Sequence, residues 1–195
     1  MTKAFIRATA LKTFLSVAFS GFLAFHASAA DLKGYATPCP EKQQICVWFK
    51  PVAVLPKGWT EDEEWSYRYK ALFLFQNGDR STDKPVMYVH LRGAKKNETL
   101  EQFIEEAQKA WKGQKKGSTI EKLADFERGN KPSFKVFLYK NPSVPEQAFE
   151  LTAFMQDQDS ANPSRTYFFE AVLICPNKEE LERAKPAFYE LIASL

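Results

Sequence analysis

Apolar residues recur along this chain either in continuous or alternating runs, which predict strands, or at every third or fourth position, which predicts helices. Tyr167–Ile174 is nearly continuous in apolar, β-favouring residues, as is typical of a strand covered on both faces near the middle of a sheet. Cys175 and Pro176 end it, since proline cannot donate to a sheet ladder. Asn177, three residues before Glu180, predicts the N-cap of a helix. The apolar face of that helix comprises Leu181, Ala184, Phe188, Leu191, Ile192 and Leu195.

A second helix is predicted in the middle of the chain. Thr99 and Gln102 have the spacing of a capping box, in which each side chain accepts a hydrogen bond from the other residue's backbone N–H. Gly113 is expected to end this helix. We expect Trp111 to lie in the core, because it belongs to the apolar stripe of the helix. That stripe comprises Leu100, Phe103, Ile104, Ala107, Ala110 and Trp111.

Six further apolar runs predict strands that surround the two helices. The turn Asn77-Gly78-Asp79 separates two of them. Because short connections join antiparallel neighbours, the fold class is α+β, with a mostly antiparallel β-sheet flanked by helices in an α/β/α sandwich. The predicted strands are Ile45–Leu55, Trp65–Phe75, Pro85–Arg92, Ile120–Phe126, Ser133–Tyr139 and Ala148–Met155.

Residues 1–30 have the pattern of a secretory signal. A basic segment, an apolar core too short to cross a bilayer comfortably and a small-x-small cleavage site follow one another. We therefore expect cleavage beside Ala30 and a single mature domain over residues 31–195, periplasmic or secreted, without stable membrane insertion. An uncleaved anchor is the alternative. The three parts of the signal are Lys3, Arg7 and Lys12, then Phe14–Phe25, then Ala27-Ser28-Ala29.

The net positive charge of the chain belongs to that signal. The chain has 27 Lys and Arg, three of which lie in residues 1–30, and 24 Asp and Glu, none of which does. The expected mature domain is therefore neutral overall, and its charge predicts neither a nucleic-acid partner nor an anionic membrane surface. Its length suits one domain with a core of its own.

The three cysteines of an exported chain would meet an oxidising environment, in which disulfides form. We expect a disulfide between Cys39 and Cys46, which would close a short loop and stabilise the fold by about 2.5 kcal/mol. Cys175 is then left over, either as a buried inert thiol or as a reactive one. A Cys46–Cys175 bridge is the alternative pairing, because both residues flank strands.

Five short motifs along the chain are Pro56-Lys57-Gly58-Trp59, Val86–Val89, Thr99-Leu100-Glu101-Gln102-Phe103, Phe168–Ile174 and Leu191–Leu195. They resemble those of PsbP-like domains, a family that includes extrinsic proteins of the oxygen-evolving complex and exported bacterial proteins of the DcrB type. The resemblance covers about Ile45–Leu195 and implies a central antiparallel sheet flanked by helices. It implies no common chemistry, because the members bind different partners. The chain lacks the lipidation cysteine of the DcrB type.

Known catalytic sequence motifs are missing from the chain, including G-x-S-x-G, H-E-x-x-H, C-x-x-C and phosphate-binding loops. His90 is the one histidine after residue 30, and we expect it to be structural, with a catalytic base as the alternative. Asp157, Asp159 and Asn162 only partly match a calcium loop, so we expect a polar connection there. The sequence predicts no cofactor, no metal and no enzymatic activity.

The expected function is therefore an exported, non-catalytic accessory protein of the cell envelope that binds a protein partner. The alternatives are an inhibitor or immunity protein against an exported toxin, or a small enzyme that uses carboxylates. Two loops at the sheet ends are the candidate contact surface, one with Trp59 beside acidic residues and one rich in lysine. A core residue that closes the end of the sheet is the alternative role of Trp59. The candidate residues are Trp59, Glu61, Asp62, Lys115 and Lys116.

Overall fold

The computed structural model describes residues 31–38, 45–114, 117–160 and 162–195. The predicted secretory signal, Cys39, Lys115 and Lys116 lie outside these ranges. In chain order the described elements are β1 (Leu32–Pro38), β2 (Ile45–Pro51), β3 (Trp59–Glu61), α1 (Glu63–Tyr69), β4 (Ala71–Gln76), β5 (Val86–Gly93), α2 (Leu100–Gln114), β6 (Thr119–Lys122), β7 (Phe126–Arg128), β8 (Lys131–Lys140), β9 (Phe149–Gln158), β10 (Thr166–Cys175) and α3 (Lys178–Ser194), with a 3₁₀ turn at Pro145–Gln147.

The main sheet is antiparallel, with the strand order β3-β4-β5-β10-β9-β8-β6, and β7 pairs with the N-terminal part of β8. The strand β10 lies in the middle, between β5 and β9. Seven of its ten residues are buried, all of them hydrophobic side chains including Cys175, which accounts for its nearly continuous apolar sequence. The predicted central strand and the α+β class are thus confirmed.

The helices α3 and α2 lie on opposite faces of this sheet. Helix α3 buries Phe188 and Leu191 completely against a core that includes Phe169 and Leu173 of β10. On the other face, Phe103 of α2 stacks on Phe168 of β10, with ring centroids 4.9 Å apart. Because side chains alternate between the faces of a strand, Phe168 and Phe169 lie on opposite sides and β10 serves both cores.

Both predicted helix caps are confirmed. The backbone N–H of Thr99 donates to Gln102 Oε1 at 2.9 Å, and the N–H of Gln102 donates to Thr99 Oγ1 at 3.2 Å. The N–H of Glu180 donates to Asn177 Oδ1 at 2.9 Å. Helix α2 continues to Gln114, so Gly113 does not end it.

The predicted strand Trp65–Phe75 is wrong in its first half, which forms the helix α1, whereas its second half is confirmed as β4. Asp62 caps this helix by accepting a hydrogen bond from the N–H of Trp65 at 3.0 Å, and Lys70 ends it with φ at 53°. Trp65 and Tyr69 alternate with polar residues, but they also stand one helical turn apart, with ring centroids separated by 5.3 Å. Asp62, Glu63 and Glu64, which were expected in a loop at the sheet end, therefore lie at a helix N-terminus, where negative charge is favourable.

The first described strands form a small separate sheet. The predicted strand Ile45–Leu55 ends at Pro51, and β2 pairs with β1, which the sequence patterns did not predict. Tyr35 stacks on Trp48 with ring centroids 4.7 Å apart, and Phe49 contacts Tyr167 of the main sheet edge-on. The predicted short strand Ile120–Phe126 is two strands, β6 and β7.

Candidate functional site

An open groove runs along the α2 face of the sheet, between α1 and α2. It consists of two adjoining cavities of about 490 and 610 Å³. The first lies against α1 and the second against α2. The residues that line both cavities are Tyr88, His90, Gln147, Glu170 and Ile174, and these shared walls make the two cavities one continuous groove.

The register of the sheet brings the polar residues of the groove together. Tyr88, His90 and Arg92 alternate along β5 and therefore share one face. His90 pairs directly with Glu170 of β10 across the antiparallel ladder. Glu150 of β9 pairs with Ile174 of β10, which is four residues beyond Glu170. Glu150 therefore lies on the same face of the sheet as Glu170, one strand further along. Two carboxylates and a histidine thus face the groove from three neighbouring strands.

Glu170 is the ionisable group at the centre of the groove. The pKa of its carboxyl is raised to about 7, chiefly by burial and also by the negative charge of Glu150, whereas the positive charge of Arg92 acts to lower it. The side-chain carboxyl of Glu170 forms no hydrogen bond or ion pair with any residue in the described ranges. A carboxyl of this kind changes protonation near neutral pH and has room for an external partner.

Glu150, in contrast, is held by its neighbours. Its side chain is buried and accepts hydrogen bonds from Trp111 Nε1 at 3.2 Å and from Thr152 Oγ1 at 3.0 Å. The ring of Trp111 meets Tyr139 edge-on, with centroids 4.7 Å apart. Trp111 was expected in the core, but it is half-buried and lines the wall of the groove.

Arg92 is paired at the end of the groove near α2. Its guanidinium donates to both carboxylate oxygens of Glu98, at 2.6 and 2.8 Å. This ion pair lowers the pKa of Glu98 to about 2, and the N–H of Lys95 contributes a further hydrogen bond. The guanidinium also lies 4.6 Å from the ring centroid of Phe103, a cation–π contact that ties β5 to α2.

Aromatic rings line the half of the groove near α1. Phe73 stacks on Tyr88, with ring centroids 5.1 Å apart, and Trp65 meets Phe73 and Phe75 edge-on. Burial raises the pKa of Tyr88 well above its usual range, so its hydroxyl stays protonated. Arg80 lies on the rim and is paired with Asp62 and Glu64. This half therefore offers ring faces and few polar groups.

His90 lies on the floor of the groove and is partly buried. Burial lowers the pKa of its imidazole, and the positive charge of Arg92 lowers it further. The imidazole is therefore neutral at pH 7, with one nitrogen that donates and one that accepts.

Of the contact residues predicted from sequence, the three that the structure describes are either buried or paired within the chain. Trp59 is 6% exposed and packs in the main core, so its interpretation as an exposed anchor is wrong. Glu61 pairs with Lys50, and Asp62 caps α1 and pairs with Arg80. Lys115 and Lys116 lie outside the described residues.

The cysteine predictions have different outcomes. The predicted Cys39–Cys46 disulfide involves a residue outside the described ranges and stays a prediction. Cys175 is a free, fully buried thiol, so the alternative Cys46–Cys175 bridge is wrong. Burial raises the pKa of Cys175 to about 12, which keeps the thiol protonated and unreactive.

Sequence reasoning singled out His90 and Trp111 but missed Glu150 and Glu170, although one signal pointed to Glu170. Glu170 is the one charged residue in the apolar run Tyr167–Ile174. A carboxyl in a central strand needs either a buried partner or an opening to water, and either arrangement suggests a site.

Comparisons with known proteins add no family assignment. A scan against models of protein families finds no match to the chain, and a search of curated proteins finds no similar sequence. Across the described ranges, the structure places no group of three or more His, Cys, Asp or Glu side chains in a position to hold a metal ion. No helix in the same ranges is long and apolar enough to cross a membrane.

Proposed function

We propose that this chain is an exported, non-catalytic binding protein of the cell envelope, periplasmic or secreted, and that it engages a protein partner through the groove between α1 and α2. The observation that carries the proposal is Glu170, a partly buried carboxyl without a hydrogen-bond partner among the described residues, on the floor of an aromatic groove. Pockets that combine apolar walls with a few convergent polar groups are typical ligand sites.

The groove replaces the loops at the sheet ends as the proposed contact surface. Trp59 is buried in the core, and the carboxylates of Glu61 and Asp62 are already paired within the chain. In the groove, by comparison, Tyr88 and Trp111 present rings beside the open carboxyl of Glu170. Aromatic side chains in partly enclosed pockets are the residues that most often dominate binding energy.

Capture of partners from an envelope extract of the source tests the proposal. The exported protein and its Tyr88→Leu and Glu170→Gln variants serve as baits, with Glu182→Gln as the matched control, since Glu182 is an exposed residue of α3 on the opposite face. We expect the groove variants to lose a protein that the unaltered bait and the control retain. Equal recovery by all four baits would refute the groove as the contact surface.

Export is tested separately by the N-terminus of the protein isolated from its source. We expect it to begin at Ala30 or Asp31. An intact Met1 in that material would overturn the exported part of the proposal and leave the groove unaffected.

A carboxylate-dependent enzyme is the second candidate, and one observation favours it. Glu170 has a pKa of about 7 and pairs across the ladder with His90, whose pKa is lowered. A carboxyl that titrates near neutral pH opposite a neutral imidazole is suited to general acid–base catalysis. Turnover of an ester or sugar substrate that follows the protonation of Glu170 and is lost in Glu170→Gln would favour this candidate over simple binding.

A further inference from the structure

Two of the three arginine and lysine side chains that line the groove are neutralised by ion pairs within the chain, and the third, Lys84, interacts electrostatically with Asp79. Arg92 is paired with both oxygens of Glu98, and Arg80 is paired with Asp62 and Glu64. The lowered pKa of His90 keeps its imidazole neutral at pH 7. No residue of the described ranges therefore forms an ion pair with Glu170, although Arg92 lies near enough to lower its pKa.

The aromatic rings of the groove lie on both sides of this carboxyl. Phe73 and Tyr88 line the cavity toward α1, and Trp111 and Tyr139 line the cavity toward α2. The face of an aromatic ring attracts cations and repels anions, because its quadrupole is negative at the face. A carboxylate between two such aromatic clusters is therefore chemically suited to a positively charged group.

We propose that the groove binds an organic cation, a protonated amine on an apolar body, with the ammonium at Glu170 and the body against Phe73 and Tyr88. This inference rests on the proposed function, because it names the chemistry that the same groove recognises. The amine can be a lysine side chain of a protein partner or a free amine. Both carry the same ammonium group, so the site recognises them by the same contacts, and the test below distinguishes them.

Binding of a cation should be coupled to the protonation of Glu170. In the empty groove its pKa is about 7, and a bound ammonium favours the carboxylate, so binding below this pH releases a proton. Affinity should therefore rise with pH up to about 8 and then level off. The other titratable and charged groups that line the groove are Tyr69 of α1, Tyr88, His90 and Arg92 of β5, Tyr139 of β8, Glu150 of β9, Glu106 of α2, Glu146 of the 3₁₀ turn, and Arg80 and Lys84 on the rim.

Three small probes with one phenyl ring test the sign of the charge that the groove prefers. Phenethylamine is a cation, phenethyl alcohol is neutral and hydrocinnamate is an anion, and each is titrated into the exported protein at pH 8 while amide NMR shifts of groove residues are followed. We expect phenethylamine to bind at least tenfold more tightly than phenethyl alcohol, and hydrocinnamate to bind most weakly. We expect the preference for the amine to weaken about tenfold at pH 5.

Two variants show whether Glu170 is the origin of the preference. Glu170→Gln keeps the shape of the side chain and removes its charge, so the amine and the alcohol should bind it equally. Glu182→Gln, on the opposite face, should retain the tenfold preference. Melting temperatures of both variants exclude unfolding as the cause, and Tyr88→Leu, which removes one ring, should weaken all three probes.

A further pair of probes distinguishes the two sources of the amine. The peptide acetyl-Lys-Phe-amide carries a lysine side chain, and acetyl-Gln-Phe-amide is its neutral counterpart. Tighter binding of the lysine peptide than of phenethylamine indicates a lysine of a protein partner, and the reverse order indicates a free amine.

Either equal binding of phenethylamine and phenethyl alcohol or the absence of binding by phenethylamine would overturn the cation proposal. If the groove variants still lose the captured envelope partner in that case, the proposed binding function stands with a different ligand chemistry. If the capture experiment also shows no dependence on the groove, both proposals fail.

Discussion

The two faces of the main sheet are built from the same strands but differ in what covers them. On the α3 face, Phe169, Leu173, Phe188 and Leu191 are at most 1% exposed, and helix α3 closes the layer. On the α2 face, the core around Phe103 occupies one part of the surface, and the groove occupies the part next to it. The partial cover of one face is what allows charged groups to stand on a central strand.

The difference suggests that the α3 face mainly stabilises the fold and that the α2 face provides the functional site. Apolar area removed from water stabilises the fold, and most of it lies on the α3 face. The α2 face instead retains Glu150 and Glu170, whose partial burial has a cost in stability. Natural proteins accept such costs chiefly where the residues have a function. Substitutions on the two faces should therefore differ in their effect on stability.

The largest expected effect is on the α3 face. Phe188→Ala should lower the free energy of unfolding by about 3–5 kcal/mol, because it removes a fully buried ring and leaves a cavity. Phe73→Ala, at the partly exposed wall of the groove, is the matched substitution and should cost about half as much. Urea unfolding of both variants measures the difference. Equal losses would mean that the two faces contribute alike to stability.

Substitution of Trp59 should have the next largest effect on stability. It tests whether this residue, at the end of the sheet, belongs to the core or to a contact surface. It is 6% exposed in β3 and belongs to the main core, so Trp59→Ala should destabilise the protein by about 3 kcal/mol. Capture of the envelope partner at low temperature should be unaffected. A variant of unchanged melting temperature that fails to capture the partner would restore Trp59 as a contact residue and count against the groove.

Glu170→Gln should raise the free energy of unfolding, in contrast to the substitutions above, and the size of the increase should depend on pH. The native pKa of about 7 lies above the usual value of 4.5, so the native state binds more protons between these values and stability falls as pH rises through them. Removing the charge should therefore stabilise the protein by about 2 kcal/mol at pH 8, less than the full shift implies because the groove is open to water.

The stabilising effect of Glu170→Gln should vanish near pH 4, where the carboxyl of the unaltered protein is protonated in both the native and the unfolded state. Thermal unfolding between pH 4 and pH 8 measures this dependence. Glu182→Gln, at an exposed site, should show no comparable dependence. A stability difference that is independent of pH would show that Glu170 does not titrate in the groove as described.

Much of the fold could be predicted from sequence, because the signals involved are local. The caps at Thr99 and Asn177 and the continuous apolar run Tyr167–Ile174 are each contained in a few neighbouring residues. The prediction failed at Trp65–Tyr69, where aromatic residues at every second position fit both a strand and a short helix. Asp62 begins the helix there as its N-cap, although the same residue was interpreted from sequence as part of a charged loop.

The groove could not be predicted, because it depends on relations between distant parts of the chain. The pairing of His90 with Glu170 joins residues 80 positions apart, and it follows from the register of β5 against β10. Helix α2 packs on Phe154 and Phe168 and leaves the groove open at Glu170. Sequence spacing contains neither the register nor the position of the helix.

The smallest effect concerns the wall of the groove formed by α1. Asp62 accepts from the N–H of Trp65 and pairs with Arg80, and these contacts lower the pKa of its carboxyl although its partial burial acts in the opposite direction. Asp62→Ala removes the cap and should cost about 1 kcal/mol, whereas Asp62→Asn keeps a capping oxygen and should cost less. Urea unfolding at pH 7 and pH 3 measures both costs.

The pH dependence and the fluorescence of Trp65 separate the cap from the ion pair. Because the native pKa of Asp62 is lowered, its advantage over the asparagine variant should be present above about pH 4 and be lost as pH falls below it. The fluorescence of Trp65 should change more in Asp62→Ala than in Asp62→Asn, since the first turn of α1 frays when the cap is lost. Equal costs for the two variants at pH 7 would show that the ion pair with Arg80, rather than the cap, holds α1 against the groove.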